Sequence, residues 1–310
     1  MNRPSVAITI RSFNLQSSAM KKLENEFEIP YINTTGSRLS EDDLIYAISN
    51  ADFVLAGTEV FTKKVIESST LLKGISRVGT GTDNIDMSAA KNRNLQVMNT
   101  PDAPVPAVAE HTLTLILSVL KRIPQYTMQM KNGNYAVEPG LLLSGKTVGV
   151  IGLGRIGFAV ASMLSALGCR IGFYDLYSKA KVRKEWVSYP SLQKLAGDSD
   201  IITVHAAPQE DKGALLDKRF FSSCKKGVIL INTARGSLVD EAALEEALEN
   251  GTVSAAGLDV FVTEPYCGPL LKYPQVVVTP HVASNTRESR QQMELEAVDN
   301  LIKAKRRHRK

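Results

Sequence analysis

A strand, a glycine-rich turn and a helix follow one another near the middle of the chain, and this succession constrains the fold most. Thr147–Ile151 is an apolar strand, Gly152–Gly157 has the spacing Gly-x-Gly-x-x-Gly, and Phe158 to Leu167 is helix-like. The first glycine permits a tight turn, the second lets a ligand approach the backbone, and the third lets helix and strand pack closely. The turn therefore predicts a dinucleotide site in a parallel α/β sheet.

The residues around this turn are the first cofactor-binding candidates: Gly152, Gly154, Arg155, Ile156 and Gly157. Free N–H groups at the start of the following helix attract phosphate. Asp175 closes the next strand, where a carboxylate accepts hydrogen bonds from both ribose hydroxyls and repels a 2′-phosphate. We therefore predict NAD rather than NADP as the cofactor.

Three residues further along the chain predict acid–base chemistry on an oxidisable acid. Arg235 follows a strand and offers a fork of donors to a carboxylate or a polarised carbonyl. His281 also follows a strand, and Glu264 is its predicted partner. A carboxylate on one imidazole nitrogen fixes which nitrogen faces the substrate, and that nitrogen can give a proton to a ketone or take one from a 2-hydroxyl. Asp259 could bond the nicotinamide amide.

Length and composition suit a two-domain globular protein. The chain has 310 residues, of which 44% are hydrophobic and 22% charged. It has no apolar run of membrane-spanning length and no signal-peptide pattern at its start, so we expect a cytoplasmic protein. The three cysteines are widely spaced and predict neither a disulfide framework nor a metal site.

The net charge of +5 is concentrated at one end. Six of the 37 basic residues lie in the last eight positions, so the rest of the chain, with 32 acidic residues, is close to neutral. Such a tail could contact nucleic acid, but more often a run of this kind is a frayed, solvated terminus. We expect no nucleic-acid partner and no membrane contact.

Strand-like and helix-like segments alternate throughout, which predicts parallel sheets. The predicted elements are strands at 6–10, 53–56, 75–78, 95–98, 147–151, 170–174, 201–205, 228–232, 255–260 and 276–279, and helices at 40–50, 62–69, 108–120, 158–167 and 287–303. The helix Val108–Leu120 is too apolar to face water, so it is buried in its own domain or in a homodimer interface. We predict a split domain, 1–101 plus 288–310, with a nucleotide-binding domain, 102–287, inserted in it.

The chain resembles the D-isomer-specific 2-hydroxyacid dehydrogenase family over nearly its whole length. The motifs that carry the resemblance are Arg77–Asp86, Val108–Thr112, Gly152–Gly157, Asn232–Gly236 with Asp240 and Glu241, Leu258–Phe261 with Glu264 and Pro265, and Thr279–His281. Within the family they are most similar to phosphoglycerate dehydrogenases, here without the C-terminal regulatory domain of the long forms. The fold expected is α/β, with a Rossmann NAD-binding domain inserted in a flavodoxin-like substrate domain, both doubly wound.

The resemblance also implies roles for individual residues. Arg235, Glu264 and His281 would be catalytic, and the backbone of Val78, Gly79 and Thr80 would bind the substrate carboxylate together with Arg235. Further cofactor contacts are implied at Thr80, Thr233, Ala234, Asp259 and the segment from His281 to Ser284. The helix Val108–Leu120 would help to form a homodimer.

Two departures from the family pattern leave the substrate open. Ala56 occupies the position of a phosphate-binding arginine, and Glu59 places an acid nearby, which would repel a phosphate unless Lys63 or Lys64 compensates. A phosphoglycerate dehydrogenase of serine biosynthesis is one interpretation. A hydroxypyruvate or glyoxylate reductase is the second, and an NAD-sensing, corepressor-like interaction protein is the third.

Two further histidines have weaker predicted roles. His205 and Ala206 end a strand near the cofactor and count as cofactor-binding candidates, but His205 has no predicted carboxylate partner, so a purely structural role stays open. His111 begins a long helix, where an interdomain hydrogen bond is a better prediction than catalysis.

Overall fold

A computed structural model describes residues 3–177, 182–209 and 213–308. Its contacts divide the chain into two compact units. Unit 1 is Met1–Pro104 with Asn285–Lys310, and unit 2 is Val105–Ser284. The domain boundaries predicted from sequence, at 102 and 287, lie close to these divisions.

The first stretch of unit 1 alternates strands and helices. Its elements are β1 Ser5–Ile8, α1 Ser18–Glu26, β2 Glu28–Ile32, α2 Glu41–Ile48, β3 Phe53–Ala56, α3 Lys63–Ser68, β4 Gly74–Arg77, α4 Met87–Asn92 and β5 Gln96–Met98. The strands are all parallel, in the order β2-β1-β3-β4-β5. This is the flavodoxin-like order, so the predicted fold class is confirmed for this unit.

Two predicted helix starts in unit 1 are confirmed by their caps. The hydroxyls of Ser40 and Thr62 accept hydrogen bonds from the backbone N–H groups of Asp43 and Val65. Each bond satisfies one of the N–H groups that a helix leaves without an internal partner, which explains why α2 and α3 begin where they do.

Unit 2 contains a second, larger parallel sheet. Its elements are α5 Val105–Leu120, α6 Ile123–Lys131, β6 Thr147–Ile151, α7 Arg155–Ala166, β7 Arg170–Tyr174, β8 Val187–Ser188, α8 Leu192–Asp198, β9 Ile201–Val204, α9 Lys218–Ser222, β10 Val228–Asn232, α10 Glu241–Glu249, β11 Val253–Leu258 and β12 Val276–Val278. Their order is β12-β11-β10-β9-β6-β7-β8. The reversal of order beside β6 is the Rossmann pattern, and the Gly-rich turn follows this strand.

The apolar helix α5 is buried within its own unit. It packs against α7 and against β10, β11 and β12, and Leu115 and Val119 lie over Gly257 of β11. A Cβ added to Gly257 would lie 3.1 Å from the Cβ of Leu115, so the helix approaches the sheet closely. The face of α5 that packs on the sheet is therefore apolar because it is buried within its own domain, which is the first of the two predicted explanations.

The last helix returns the chain to unit 1. This helix, α11, covers Arg287–Arg307 and packs against α1 and β4; the hydroxyl of Ser76 donates to the carbonyl of Ala297 at 2.9 Å. The predicted frayed terminus is therefore wrong as far as Arg307, while Arg309 and Lys310 lie outside the described residues. Lys305 is only 7% exposed, because its ammonium donates to the carbonyl and carboxylate of Glu26 and lies over the ring of Phe27.

Among the residues that the structure describes, no helix combines the length and the apolar character needed to cross a bilayer.

Candidate active site

The Gly-rich turn joins β6 to α7 with a backbone that requires glycine. Gly152 has φ +88°, and a Cβ at Gly157 would overlap the carbonyl oxygen of Gly152. Gly154 is the N-cap of α7 and has no capping side chain, and a Cβ there would meet no atom within 4 Å. The open space lies where the N-terminus of α7 presents its free N–H groups. This arrangement fits a bound pyrophosphate, with Arg155 exposed and Ile156 half-buried beside it.

Asp175 follows β7 and contacts the same turn. Its Oδ2 accepts the backbone N–H of Leu153 at 2.6 Å, and its Oδ1 accepts that of Tyr177 at 2.8 Å. These two bonds fix the carboxylate beside the glycine-rich segment. A carboxylate in this place suits the ribose hydroxyls of a dinucleotide.

His205 and Ala206 follow β9 and lie against the other side of the turn. A Cβ at Gly152 would lie 2.6 Å from the nitrogen of Ala206. The Nε2 of His205 is 2.9 Å from the hydroxyl of Thr203, and burial lowers the pKa of His205 to about 3. The imidazole is therefore neutral near pH 7 and brings no positive charge to a phosphate.

The loop after β10 carries Arg235 in a fixed backbone. Asn232 accepts the N–H of Ala234 at 3.0 Å and donates to the carbonyl of Arg235 at 2.9 Å. A Cβ at Gly236 would overlap the backbone of Phe261, so this loop lies directly against the loop after β11. The hydroxyl of Thr233 is 2.8 Å from that of Thr112 on α5. Arg235 is thereby brought to the loop that precedes Glu264.

Glu264 and His281 form a hydrogen-bonded pair at the ends of neighbouring strands. The Nδ1 of His281 lies 2.9 Å from the Oε2 of Glu264, and the Oε1 of Glu264 accepts the N–H of Phe261 at 3.2 Å. Both side chains are half-exposed, at 49% and 39%. With Nδ1 engaged, Nε2 is the nitrogen of His281 that can exchange a proton with a substrate.

Asp259 anchors the segment that carries His281. Its side chain is 0% exposed and accepts the hydroxyl of Thr279 at 2.6 Å and the N–H groups of Val282 and Ala283 at 2.9 Å each. Burial alone would raise the pKa of Asp259, but these bonds and one from His111 outweigh burial and hold its pKa below the usual value. The structure thus gives Asp259 an anchoring role that sequence reasoning missed; its contact with nicotinamide stays a prediction, as does that of Ser284.

His111 contacts the same anchor. Its Nε2 lies 3.1 Å from the hydroxyl of Thr279 and 3.5 Å from the carboxylate of Asp259. All three residues belong to unit 2. The predicted interdomain hydrogen bond of His111 is therefore wrong.

In unit 1, the predicted carboxylate-binding backbone lies after β4. The N–H of Val78 donates to the carbonyl of Ala56 at 2.8 Å, and that of Gly79 donates to the hydroxyl of Thr100 at 2.7 Å. The carbonyl of Thr80 accepts the amide of Asn99 at 2.6 Å. Two of the N–H groups expected to bind substrate are thus already used within the unit.

Arg77 is a candidate anion-binding residue that was not singled out from the sequence. Gly79 has φ +135°, and a Cβ there would overlap the Arg77 guanidinium, which lies directly against this glycine. The signal was present in the sequence, because an arginine at the carboxyl end of a parallel strand is well placed to bind an anion.

The positions that decide between phosphorylated and unphosphorylated substrates are also defined. Ala56 is 0% exposed within the core of unit 1. Glu59 is 1% exposed and accepts the N–H of Gly57 at 2.6 Å. Lys64 pairs with Glu41 at 3.0 Å, and Lys63 lies 3.9 Å from Glu67. The two lysines proposed to compensate for the missing arginine are thus directed to other carboxylates.

No cluster of three or more metal-ligating side chains is present in the described part of the chain.

Residues 113–283 match the family model described as "D-isomer specific 2-hydroxyacid dehydrogenase, NAD binding domain". A D-3-phosphoglycerate dehydrogenase of Archaeoglobus fulgidus is 38% identical over 85% of this chain and 51% of its own length. A hydroxypyruvate reductase of Thermotoga maritima is 36% identical over 93% of this chain and 95% of its own. The chain spans about half the length of the phosphoglycerate dehydrogenases that it matches.

Among solved structures, an NADPH-dependent glyoxylate/hydroxypyruvate reductase from Sinorhizobium meliloti superimposes with a TM-score of 0.86 at 30% identity. The match covers 97% of this chain and 93% of that one.

Proposed function

Because the chain belongs to the D-isomer-specific 2-hydroxyacid dehydrogenase family, we propose that it interconverts a small D-2-hydroxy acid and its 2-oxo acid with NAD as the cofactor. The observation that carries the proposal is the pair of Glu264 and His281, 2.9 Å apart, in which the loop of Glu264 lies against the loop of Arg235. The carboxylate orients the ring through Nδ1, and Nε2 is the nitrogen that we propose for proton exchange with a substrate.

The residues of this chain hold the substrate and move its proton. The nicotinamide cofactor, when bound, would supply a hydride in its reduced form, NADH, and accept one in its oxidised form, NAD⁺. In the reducing direction the Nε2 of His281 gives its proton to the ketone oxygen, and in the oxidising direction it takes the proton of the 2-hydroxyl. Glu264 keeps the ring oriented through its bond to Nδ1. The guanidinium of Arg235 binds the carboxylate or the polarised carbonyl oxygen.

We propose NAD over NADP because Asp175 lies beside the Gly-rich turn. Its carboxylate, held by Leu153 and Tyr177, retains lone pairs for the ribose hydroxyls and would repel a 2′-phosphate. The similar reductase from Sinorhizobium meliloti is NADPH-dependent, so cofactor choice varies among similar proteins and must be measured for this one.

Among substrates we propose the unphosphorylated acids, hydroxypyruvate or glyoxylate, over 3-phosphoglycerate. Ala56 is buried and offers no cation, the Glu59 carboxylate lies nearby, and Lys64 is paired elsewhere. The guanidinium of Arg77 lies against Gly79 in the segment that we propose for the substrate carboxylate. A role in serine biosynthesis through phosphoglycerate follows only if the phosphorylated acid proves to be the better substrate.

The experiment compares NADH oxidation with hydroxypyruvate, glyoxylate, pyruvate and phosphohydroxypyruvate. We expect kcat/KM to be at least about tenfold higher for hydroxypyruvate or glyoxylate than for phosphohydroxypyruvate, because a phosphate beside a carboxylate is repelled. In the matched variant Glu59→Gln, which removes the charge and keeps the shape, the value for phosphohydroxypyruvate should rise relative to the others. A preference for phosphohydroxypyruvate in the unaltered protein would contradict the substrate proposal.

We also propose a homodimer. Because α5 is covered by its own unit, the surface we favour is α6 and the segment after it, where Met128, Met130, Tyr135, Val137 and Leu142 are exposed. Light scattering should give twice the mass of one chain for the unaltered protein. The double variant Val137→Asp with Leu142→Asp should give the mass of a single chain. A dimer that survives both substitutions would place the interface elsewhere.

The corepressor-like alternative gains no support from Lys305 of the basic tail, which is held by Glu26, whereas Lys303, Arg306 and Arg307 are exposed. We propose a cytoplasmic location, since Cys169, Cys224 and Cys267 are free thiols.

A further inference from the structure

We propose that His111 is a positioning residue for His281, acting through Thr279 and Asp259. The inference rests on the proposed function, in which His281 moves the substrate's proton. It concerns a residue on helix α5, outside the loop that carries His281.

His281 is held in a backbone conformation that it does not prefer. Its φ is +54°, in the left-handed region where a residue with a Cβ is strained. Such a conformation persists only when its surroundings determine it. Here the N–H of His281 donates to the carbonyl of Asp259 at 2.8 Å, and the next two N–H groups donate to the carboxylate of the same residue. The position of His281 therefore depends on Asp259.

The carboxylate of Asp259 is in turn oriented by Thr279 and His111. The Thr279 hydroxyl is 2.6 Å from Oδ1 of Asp259, and since a carboxylate only accepts, the hydroxyl donates to it. The hydroxyl oxygen then accepts from Nε2 of His111, 3.1 Å away, which assigns the ring proton to that nitrogen. His111 thus donates to Thr279, and Thr279 donates to Asp259.

The helix that carries His111 is rigidly placed on the strands that carry the other two residues. Leu115 of α5 lies over Gly257 of β11, close to the point where Asp259 leaves that strand. α5 also packs against β12, which ends next to Thr279. His111 can thus fix the separation of the two strand ends whose loops carry Glu264 and His281.

The test compares two substitutions at one position. His111→Leu removes the donor and keeps the bulk, whereas His111→Gln keeps an N–H near the place of Nε2. We expect His111→Leu to lower kcat about tenfold with the NADH dissociation constant unchanged, and His111→Gln to restore kcat to within about threefold of the unaltered protein, as one hydrogen bond of about 1.4 kcal/mol predicts. Thr114→Val, an exposed change on the same helix, is the control and should have no effect.

A double substitution tests whether His111 acts through Thr279. Because His111 also lies 3.5 Å from the carboxylate of Asp259, His111→Leu combined with Thr279→Val should lower kcat by less than the product of the two single losses. Equal losses in the Leu and Gln variants, a loss confined to NADH affinity, or additive losses in the double variant would each overturn the proposal.

A second readout does not depend on turnover. In histidine-selective NMR spectra of the protein with NADH, the ring signals of His281 should shift or broaden in His111→Leu and stay unchanged in His111→Gln and Thr114→Val. If the unaltered protein reduces no 2-oxo acid while this pattern holds, the proposed function fails and the positioning role stands. If turnover is present and the His281 signals are the same in all variants, the positioning role fails alone.

Discussion

Nδ1 of His281 lies 2.9 Å from Oε2 of Glu264, although the two residues leave the sheet at the ends of different strands. The second oxygen of Glu264 is held by the N–H of Phe261, so the carboxylate is fixed before a substrate binds. The opposite nitrogen of His281 is thereby assigned to proton transfer. This pair is the basis of the first prediction.

Glu264→Gln should lower kcat by about tenfold to a hundredfold, because Nδ1 of His281 loses the carboxylate that orients the ring for proton transfer. The measurement is steady-state NADH oxidation with the best 2-oxo acid. Glu288→Gln, an exposed change at the start of α11, serves as the control. An unchanged kcat in the Glu264 variant would mean that the pair has no part in proton transfer.

Gly154→Ala should weaken NADH binding at least about tenfold and leave the melting temperature unchanged. A methyl group at this position would have no protein atom within 4 Å of it and would occupy the space proposed for the pyrophosphate. Fluorescence titration and thermal unfolding measure the two quantities.

Substitutions of two other glycines serve as controls for this prediction. Gly197→Ala lies in α8, where the added methyl makes ordinary contact at 3.5 Å, and should change neither quantity. Gly157→Ala overlaps the backbone of Gly152 and should lower the melting temperature. Unimpaired NADH binding by the Gly154 variant would place the cofactor elsewhere.

Asp175→Ser should raise the ratio of kcat/KM for NADPH to that for NADH by at least about tenfold, because a repulsive charge and a ribose acceptor are removed together. The exposed residue Glu185 of the same unit offers a matched change, Glu185→Ser, that removes one acidic charge outside the turn. If both variants shift the ratio equally, the effect is general electrostatics and Asp175 does not select the cofactor.

His205 should make the protein sensitive to mild acid. Burial lowers its pKa from 6.5 to about 3, so as the pH falls the unfolded chain takes up a proton before the folded chain does. The stability due to the neutral ring is complete above pH 6.5 and is lost progressively towards pH 3. At about pH 5 the loss is about 2 kcal/mol relative to about pH 8.

Urea unfolding of the unaltered protein and of His205→Gln at these two pH values measures this loss. The glutamine can keep the bond to Thr203 and does not titrate, and contributions from carboxylates cancel in the difference. The unaltered protein should lose about 2 kcal/mol more than the variant. Equal losses would show that His205 is protonated in the folded state at about pH 5.

Much of the fold follows from local patterns in the sequence. The apolar strands and the helices capped by Ser40 and Thr62 were predictable because their signals lie within a few residues. The elements that were not predicted from the sequence are α1, α4, α6, α8, α9, α10, β2 and β8. β2 contains Pro30 and has no fully buried residue, since it is an edge strand whose side chains do not alternate clearly.

The candidate site likewise has residues that could be predicted from the sequence and contacts that could not. Arg235, Glu264 and His281 were assigned because each follows a strand, and strand ends of a parallel sheet meet at one edge. The anchoring of His281 by Asp259, and of Asp259 by His111, depends on contacts between β11, β12 and α5 that no local pattern encodes. The buried state of Lys305 was missed for the same reason, since its partner Glu26 is distant in sequence.

The most direct test of the account is NADH oxidation by hydroxypyruvate and glyoxylate in the unaltered protein and in His281→Asn. Asparagine tolerates the left-handed backbone of position 281, so the variant should fold and bind NADH with an unchanged dissociation constant. We predict turnover by the unaltered protein and a loss of kcat/KM of about a hundredfold or more in the variant. Equal turnover by the two proteins, or NADH binding without turnover of any 2-oxo acid, would contradict the assignment of His281 as the proton donor of a 2-hydroxyacid dehydrogenase.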